Sequence, residues 1–457
     1  MKNSKNTFKS NKMHFIGCGG VSMSGIIKHL LNCGVEISAS DISESSLTRE
    51  LEEKGVPVTI GHSPQKIEGV DCVVYSQAVG QQDLELNKAR ELGIKVLRRS
   101  QVLGKILSEY ENSICIAGSH GKTTATAMIA NAFIESKKSP TVFLGGEDYS
   151  FGNYLNGDGS VVIAEACEYK KSFLDMEANV SVVLNIDDDH LDCYNNIEDI
   201  ENSFKSFVGK SVAIINSDDK RASKIFNATT ITFGIENNAT YTAKNIKEKG
   251  AYYSFTACAY GRKLGAINLS ILGKHNIYNA LATIAVCDLF KLPFSQVKKA
   301  IEQFKGVKRR NEYIGKYYNL PCYADYAHHP NEIKATLTAY SKADIKHITV
   351  FQPHTYSRTK ILMEDFLQVL KGVKPLIIMQ TYSAREIFDD SGSAYTLYKN
   401  IKDMGNDKVF YAQNEEQIQS LIDENIDKKS QRILFLGAGD VYEKAKNIIV
   451  QKNSKKI

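Results

Sequence analysis

At 457 residues the chain is longer than one hydrophobic core serves and implies roughly two to four domains. Its apolar fraction of 43% is that of a soluble globular protein, and no apolar run approaches the ~18 residues of a membrane span. The formal charge of +5 sits at the ends, on Lys2, Lys5, Lys9 and Lys12 in front and on Lys452, Lys455 and Lys456 behind; without those seven the body carries about −2, which argues against a nucleic-acid groove. Residues 1–12 read as a polar, basic tail without the apolar core of a secretory signal. Nine scattered cysteines, with no C-x-x-C pair, argue against a disulfide framework or a zinc site and for a reducing cytoplasm.

The first series of elements spans 1–105. Strands are expected at 13–17, 35–40, 72–75 and 95–97, with helical patterns at 22–31, closed by Gly34, and 43–54, closed by Gly55. Such alternation predicts a parallel sheet covered on both faces. The first turn reads Phe15-Ile-Gly17-Cys-Gly19-Gly20-Val-Ser22-Met23-Ser24-Gly25, and Asp41 follows the second strand. Glycines at a strand-to-helix turn let a diphosphate approach the backbone, and an acid at that place suits a ribose hydroxyl. Ser22 occupies the third glycine of G-x-G-x-x-G, so the motif by itself fits a nucleotide diphosphate site or a close-packed turn equally. An NAD-dependent dehydrogenase would use Gly17, Gly19 and Asp41 in the same way, but it leaves a second phosphate loop unexplained.

That loop opens the second series, 106–312. In Ile114-Cys-Ile-Ala-Gly118-Ser119-His120-Gly121-Lys122-Thr123-Thr124 a short apolar run ends at a glycine, and a helical segment follows at 125–135. Gly118 and Gly121 enclose only two residues, a shortened variant of the usual spacing. Helix N–H groups, the lysine ammonium and a threonine hydroxyl suit a nucleoside triphosphate with its magnesium. The plainer alternative is a tight turn with an exposed lysine. Strands follow at 161–165, 180–186 and 211–216, then a β-rich stretch over 229–272 and a helix at 276–290. Glu165 ends one strand, and His190 follows another in Asn185-Ile-Asp-Asp-Asp-His190. A carboxylate and an imidazole there are suited to hold divalent ions beside Thr123, although magnesium prefers oxygen; Asp187, Asp188 and Asp189 read as a solvated acidic turn. Asn276 and Asn279 share a helix face, with amides suited to an adenine edge, or Asn276 acts as a cap. Lys308-Arg309-Arg310 is a solvated basic run or, near a triphosphate, a source of counter-charge for phosphoryl transfer.

The third series, 313–457, repeats the alternation with strands at 348–351, 376–380, 409–412 and 433–437. Two clusters follow strand-like runs: Asp325-Tyr326-Ala-His328-His329-Pro330 and Phe351-Gln352-Pro353-His354-Thr355-Tyr356-Ser-Arg358. The adjacent histidines lack companions for a tetrahedral zinc set, so substrate recognition fits them better.

Taken together, these motifs resemble the Mur ligase family over essentially the whole chain. The resemblance implies an α/β protein of three domains: an N-terminal Rossmann-like one for a UDP-sugar, a central P-loop ATPase-like mixed sheet and a C-terminal Rossmann-like one for an amino acid. It implies ATP with Mg2+ (or Mn2+) as cofactors. It also implies a cytoplasmic step of peptidoglycan precursor synthesis in which L-alanine joins the lactyl carboxylate of UDP-N-acetylmuramate, with no nucleic-acid or membrane partner and a monomer or homodimer. A recycling ligase that attaches a peptide to the same sugar is the alternative within the family. Carried over residue by residue, Gly17, Gly19, Gly20, Ser22, Met23, Ser24, Asp41 and Ser76 serve the UDP-sugar. Gly118, Ser119, His120, Gly121, Lys122, Thr123, Thr124, Asn276, Asn279, Arg310 and Asp325 serve ATP. Thr123, Glu165 and His190 serve metal; His328, His329, His354, Tyr356 and Arg358 serve the amino acid; Lys122, His190, Arg309 and Arg310 are catalytic. The chain departs from the family where Cys167 replaces an acid and where Thr355 replaces an arginine, which leaves Arg358, with Lys360, to meet the carboxylate and leaves L-alanine, glycine and L-serine open as acceptors.

Overall fold

The computed structural model describes residue 8 and residues 11–187, 193–225, 227–384 and 386–454. The chain divides into two compact units, one of 1–247 with 254–307, the other of 248–253 with 308–457.

The first unit holds two sheets. Five parallel strands, β1 (Lys12–Ile16), β2 (Glu36–Asp41), β3 (Val58–Ile60), β4 (Cys72–Tyr75) and β5 (Lys95–Arg98), lie in the order β3-β2-β1-β4-β5. The order reverses beside β1, and in such sheets ligands bind beyond the strand ends at that reversal. The expected tail is shorter than 1–12: Phe8 is buried, with the Lys105 ammonium 5.5 Å from its ring, and Lys12 opens β1. The second helical pattern starts later than expected, at Ser46, because Ser45 and Thr48 form a reciprocal capping box there.

The second sheet has ten strands: β6 (Asn112–Ala117), β7 (Thr141–Asp148), β8 (Gly152–Leu155), β9 (Val161–Glu165), β10 (Val180–Val183), β11 (Val212–Asn216), β12 (Ile231–Gly234), β13 (Tyr241–Lys249), β14 (Tyr252–Ala259) and β15 (Arg262–Asn268). Their order is β15-β14-β13-β12-β11-β10-β6-β9-β7-β8, parallel at the centre and antiparallel at the β7–β8 and β14–β15 hairpins. The helix Lys122–Glu135 buries Ala125, Ala127, Met128, Ile129, Ala130, Ala132 and Phe133. Its alanines admit neighbouring elements closely, and Phe133 meets Phe290 edge-on at 5.3 Å.

The second unit carries β16 (Glu312–Tyr317), β17 (Leu320–Asp325), β18 (His347–Phe351), β19 (Leu376–Met379), β20 (Val409–Ala412) and β21 (Arg432–Leu436), in the order β16-β17-β21-β18-β19-β20. Only the β16–β17 hairpin is antiparallel. Ile348, Val350, Ile377, Ile433 and Phe435 are fully or almost fully buried, as a sheet covered on both faces requires. Among the described residues no helix is long and apolar enough to cross a membrane.

Candidate active site

In the first unit the phosphate loop leaves the end of β6. Gly118 (φ 149°) and Gly121 (φ 83°) adopt backbone conformations that L side chains rarely take, and a Cβ on Gly118 would stand 3.0 Å from that of Leu184. Gly121 directly precedes the helix Lys122–Glu135, whose first-turn N–H groups are the natural donors for a phosphate. Lys122 is folded back over the loop: Nζ donates to the Gly118 carbonyl at 2.5 Å, to that of Ser119 at 3.1 Å and to the Glu168 carboxylate at 2.9 Å. Burial opposes its charge, but the carboxylates of Glu168 and, less so, Glu165 outweigh that and hold its pKa above the usual lysine value. The ammonium therefore stays charged away from bulk water. Lys122 is not the exposed lysine of an ordinary turn.

Asn185 clamps the same loop. Its Oδ1 accepts from the His120 N–H at 2.8 Å, its Nδ2 donates to the His120 carbonyl at 3.0 Å, and its own carbonyl accepts from the Ser119 N–H at 3.1 Å. This is why the strand expected over 180–186 stops at Val183: the next residues turn out of the ladder to hold the loop. The Ser119 hydroxyl accepts from the Asp187 N–H at 2.8 Å, and His120 Nε2 lies 3.2 Å from the Asp187 carboxylate. Thr124 is half-buried in the first helical turn.

Beside the lysine, Thr123 Oγ1 donates to Glu165 Oε2 at 2.8 Å, and the Gly145 N–H donates to the same oxygen at 2.9 Å. A Cβ on Gly145 would stand 2.7 Å from that oxygen, and one on Gly146 2.8 Å from Thr123 Cγ2. The two glycines of β7 are therefore what admits a hydroxyl and a carboxylate side by side. Both donors are hard oxygens, the set that suits magnesium. His190, together with Asp188 and Asp189, lies outside the described residues. Asn279 Oδ1 would lie 3.2 Å from a Cβ on Gly121; Asn279 Nδ2 donates to Asn276 Oδ1 at 2.8 Å, and Asn276 Nδ2 donates to the Leu272 carbonyl at 2.7 Å. Both asparagines are buried, with these amide groups engaged inside the protein.

At the end of β1, the Gly19 N–H donates to Asp41 Oδ2 at 2.8 Å, and a Cβ on Gly17 would stand 3.2 Å from that of Ser76. Gly17, Gly19, Asp41 and Ser76 thus come together where the strand order reverses; Gly20 and Ser22 continue the turn into the helix Val21–Asn32. Met23 is instead buried in the core, and the buried Ser24 hydroxyl donates to the Val21 carbonyl and accepts from Asn153 at 2.8 Å.

In the second unit the ends of β17, β21, β18 and β19 bring together a different chemistry. Asp325 accepts from the N–H groups of Asn311 at 3.0 Å and Ala327 at 2.9 Å, and burial pushes its carboxyl up to about 6 against the opposing pull of Arg310. Arg310 lies over the Tyr326 ring at 5.3 Å, with Nη1 3.5 Å from Glu332. Arg309 turns elsewhere, onto the Tyr442 ring at 4.3 Å and to Glu443 at 3.2 Å. His328 and His354 stand with ring centroids 5.8 Å apart, and burial lowers both imidazoles to about 4. Arg358 donates to the His354 carbonyl at 3.0 Å and lies 3.2 Å from its Nδ1. His329 precedes the helix Pro330–Lys342, where Nδ1 accepts from the Asn331 N–H at 3.3 Å. The Tyr356 ring is buried against Phe388, and Lys360 pairs with Asp389 at 3.0 Å.

Several residues of these sites went unassigned in the sequence: Glu168, Asn185, Gly145, Gly146, Glu386, and the loop Gly437-Ala-Gly439-Asp440 after β21. Gln352 links that loop to β18, donating to Asp440 Oδ1 at 2.6 Å and accepting from the Val441 N–H at 3.0 Å. Paired glycines inside a strand, and a G-x-G directly after one, are the available signals, since both mark close approach of another group.

Comparison with known proteins matches three family descriptions in succession: "Mur ligase family, catalytic domain" over residues 12–111, "Mur ligase middle domain" over 116–287 and "Mur ligase, glutamate ligase domain" over 309–439. The UDP-N-acetylmuramate–L-alanine ligase of Acetivibrio thermocellus is 40% identical over 448 residues, 95% of each chain. The crystal structure of the UDP-N-acetylmuramate-alanine ligase of Thermotoga maritima superposes with a TM-score of 0.84 at 27% identity, covering 97% of this chain and all of the other. A murein peptide ligase from Psychrobacter arcticus, at 20% identity and a TM-score of 0.74, shares the fold.

Proposed function

The chain belongs to the Mur ligase family, and from that premise we propose that it joins L-alanine to the lactyl carboxylate of UDP-N-acetylmuramate, at the cost of one ATP, in cytoplasmic peptidoglycan precursor synthesis. The observation that carries this reading is the likeness to a UDP-N-acetylmuramate–L-alanine ligase at 40% identity across 95% of both chains. The peptide-recycling alternative has in its favour only a fold-level likeness.

A carboxylate resists attack by an amine, because it is anionic and oxide is a poor leaving group. Transfer of the γ-phosphoryl group to the lactyl carboxylate converts it into an acyl phosphate and releases ADP. The alanine amine, having lost its proton, attacks the acyl carbon, the C–O bond to phosphate breaks, and inorganic phosphate departs. Lys122 supplies counter-charge for the β/γ-phosphates, since its ammonium is held charged by Glu168. Arg310, rather than Arg309, is assigned the charge of the transferred group. Thr123 and Glu165 would hold Mg2+, which when bound neutralises phosphate charge. His328, His354 and Arg358 are assigned to the amino acid; the neutral imidazoles leave Arg358 as the cation for its carboxylate. The test is phosphate release from ATP with UDP-N-acetylmuramate and a panel of amino acids. Release that needs both co-substrates, with L-alanine preferred, is expected; release with neither, or with a peptide alone, refutes the reading.

A further inference from the structure

The turn that follows β18 is held from outside, by residues 381–384 and 386–392. Tyr382 bridges to His354: its N–H donates to the Pro353 carbonyl at 2.9 Å, and its ring stacks on the imidazole with centroids 5.4 Å apart and 12° between planes. Gly392 packs so closely that a Cβ there would stand 2.0 Å from the Tyr356 carbonyl oxygen. Between these two points lies Glu386, whose carboxylate accepts from Thr355 Oγ1 at 2.6 Å, from the Ser357 N–H at 2.8 Å and from the Ser357 hydroxyl. Burial alone would raise its pKa, yet the Ser357 and Thr355 donors outweigh it and hold the carboxyl below its ordinary value. The strap itself has other anchors: Thr381 Oγ1 accepts from the Ala394 N–H at 2.8 Å, and Asp389 pairs with Lys360 at 3.0 Å. Losing Glu386 would therefore loosen the turn and leave the strap in place.

We propose that Glu386 is a positioning residue for the amino-acid substrate, fixing the turn 354–358 so that His354 and Arg358 stand ready for its carboxylate. The inference rests on the assignment of those two residues to the amino acid. Thr355 takes a direct part in this: its neutral hydroxyl donates to the carboxylate. The donors of Thr355 and Ser357 immediately flank Tyr356 and precede Arg358, whose guanidinium returns to His354. Displacing them moves both substrate-facing groups together.

The experiment compares the full-length protein with Glu386→Ala and with a Thr355→Val/Ser357→Ala double variant, by steady-state phosphate release with each substrate varied in turn. Expected is a KM for L-alanine raised roughly tenfold or more, with the KM for ATP and for UDP-N-acetylmuramate within roughly twofold and kcat lowered less than roughly threefold. Adding Glu386→Ala to the double variant should cost less than it does in the wild type, because only the bond from the Ser357 N–H then remains to be lost. An unchanged KM for L-alanine in both variants overturns the proposal, as does a parallel loss in all three KM values with a lowered melting temperature. Wild-type protein inactive with every amino acid would refute the functional reading instead. Positioning is then read from the conservative variant: Glu386→Gln keeps an oxygen that accepts from Thr355 and Ser357 and should recover most of the lost KM for L-alanine, whereas a KM no better than that of Glu386→Ala overturns the proposal.

Discussion

Replacing Gly145 by alanine isolates the Thr123–Glu165 pair from the rest of the fold. The added Cβ would stand 2.7 Å from Glu165 Oε2 and 2.8 Å from both Cδ and Oε1, roughly 0.5–1 Å inside ordinary contact. Gly145 is not among the residues with positive φ, so alanine meets no backbone strain there. The obstructed group is the end of a flexible, half-buried side chain and Gly145 itself is exposed, so the carboxylate swings away and stability changes by no more than about 0.5 kcal/mol. Its bonds to Thr123 Oγ1 and the Gly145 N–H are lost in doing so. A displacement of about 1 Å in a group that orients phosphate chemistry costs on the order of 10²-fold. Phosphate release measured across a magnesium titration should show kcat/KM lowered by about that factor and the magnesium half-saturation raised about 10–100-fold, at an unchanged melting temperature. Wild-type kcat/KM with an unaltered magnesium requirement would refute the assignment of this pair.

Lys122→Met should lower the rate of phosphate release about 10²–10³-fold, since it removes the one ammonium bonded to both loop carbonyls and Glu168; an undiminished rate would sink the role given to the loop. Gly104→Ala reverses a familiar sign. A mid-helix alanine normally gains about 1 kcal/mol over glycine, but here its Cβ would lie 1.9 Å from the Asp175 backbone oxygen, so a loss of about 1–3 kcal/mol is expected in urea melts, and a gain would show the packing to be wrong. His328 and His354 titrate near about 4 when folded against 6.5 when unfolded. Between those values the unfolded chain binds the extra protons, so the stability they contribute is complete above 6.5 and drains away as pH falls toward 4, by up to about 3 kcal/mol each. Denaturant midpoints followed from pH 7 to 4.5 should fall, less steeply in His354→Gln; equal slopes for the two proteins would contradict this.

Strands were legible where each is a short apolar run closed by glycine or a polar cluster: 72–75, 161–165 and 409–412 were placed to the residue. The three-residue β3, the β7–β8 hairpin and β16 were not: β3 and β8 are three and four residues long with no period to read, β7 carries two glycines in its middle, and Gly315 interrupts β16. Motif spacing likewise singled out Lys122 and Thr123, because a strand, a tight turn and a helix are contiguous in the chain, and Glu165 stood out as the acid that ends a separate apolar run.

Which of two neighbouring residues acts is another matter. Arg309 and Arg310 are indistinguishable as letters, yet a left-handed backbone at Arg309 sends one guanidinium to Glu443 and the other to Tyr326. Glu168 beneath Lys122, Asn185 across the loop and Glu386 beneath Thr355 come from segments 46, 65 and 31 residues away. Nothing in their local sequence distinguishes them from solvated polar residues. Periodicity and turn chemistry act over a few residues and so determined the elements and the glycine loop after β6; charge, burial and close approach act across folded space, and only the packing of the sheets decided which side chains hold that loop, the Thr123–Glu165 oxygens and the turn at 354–358.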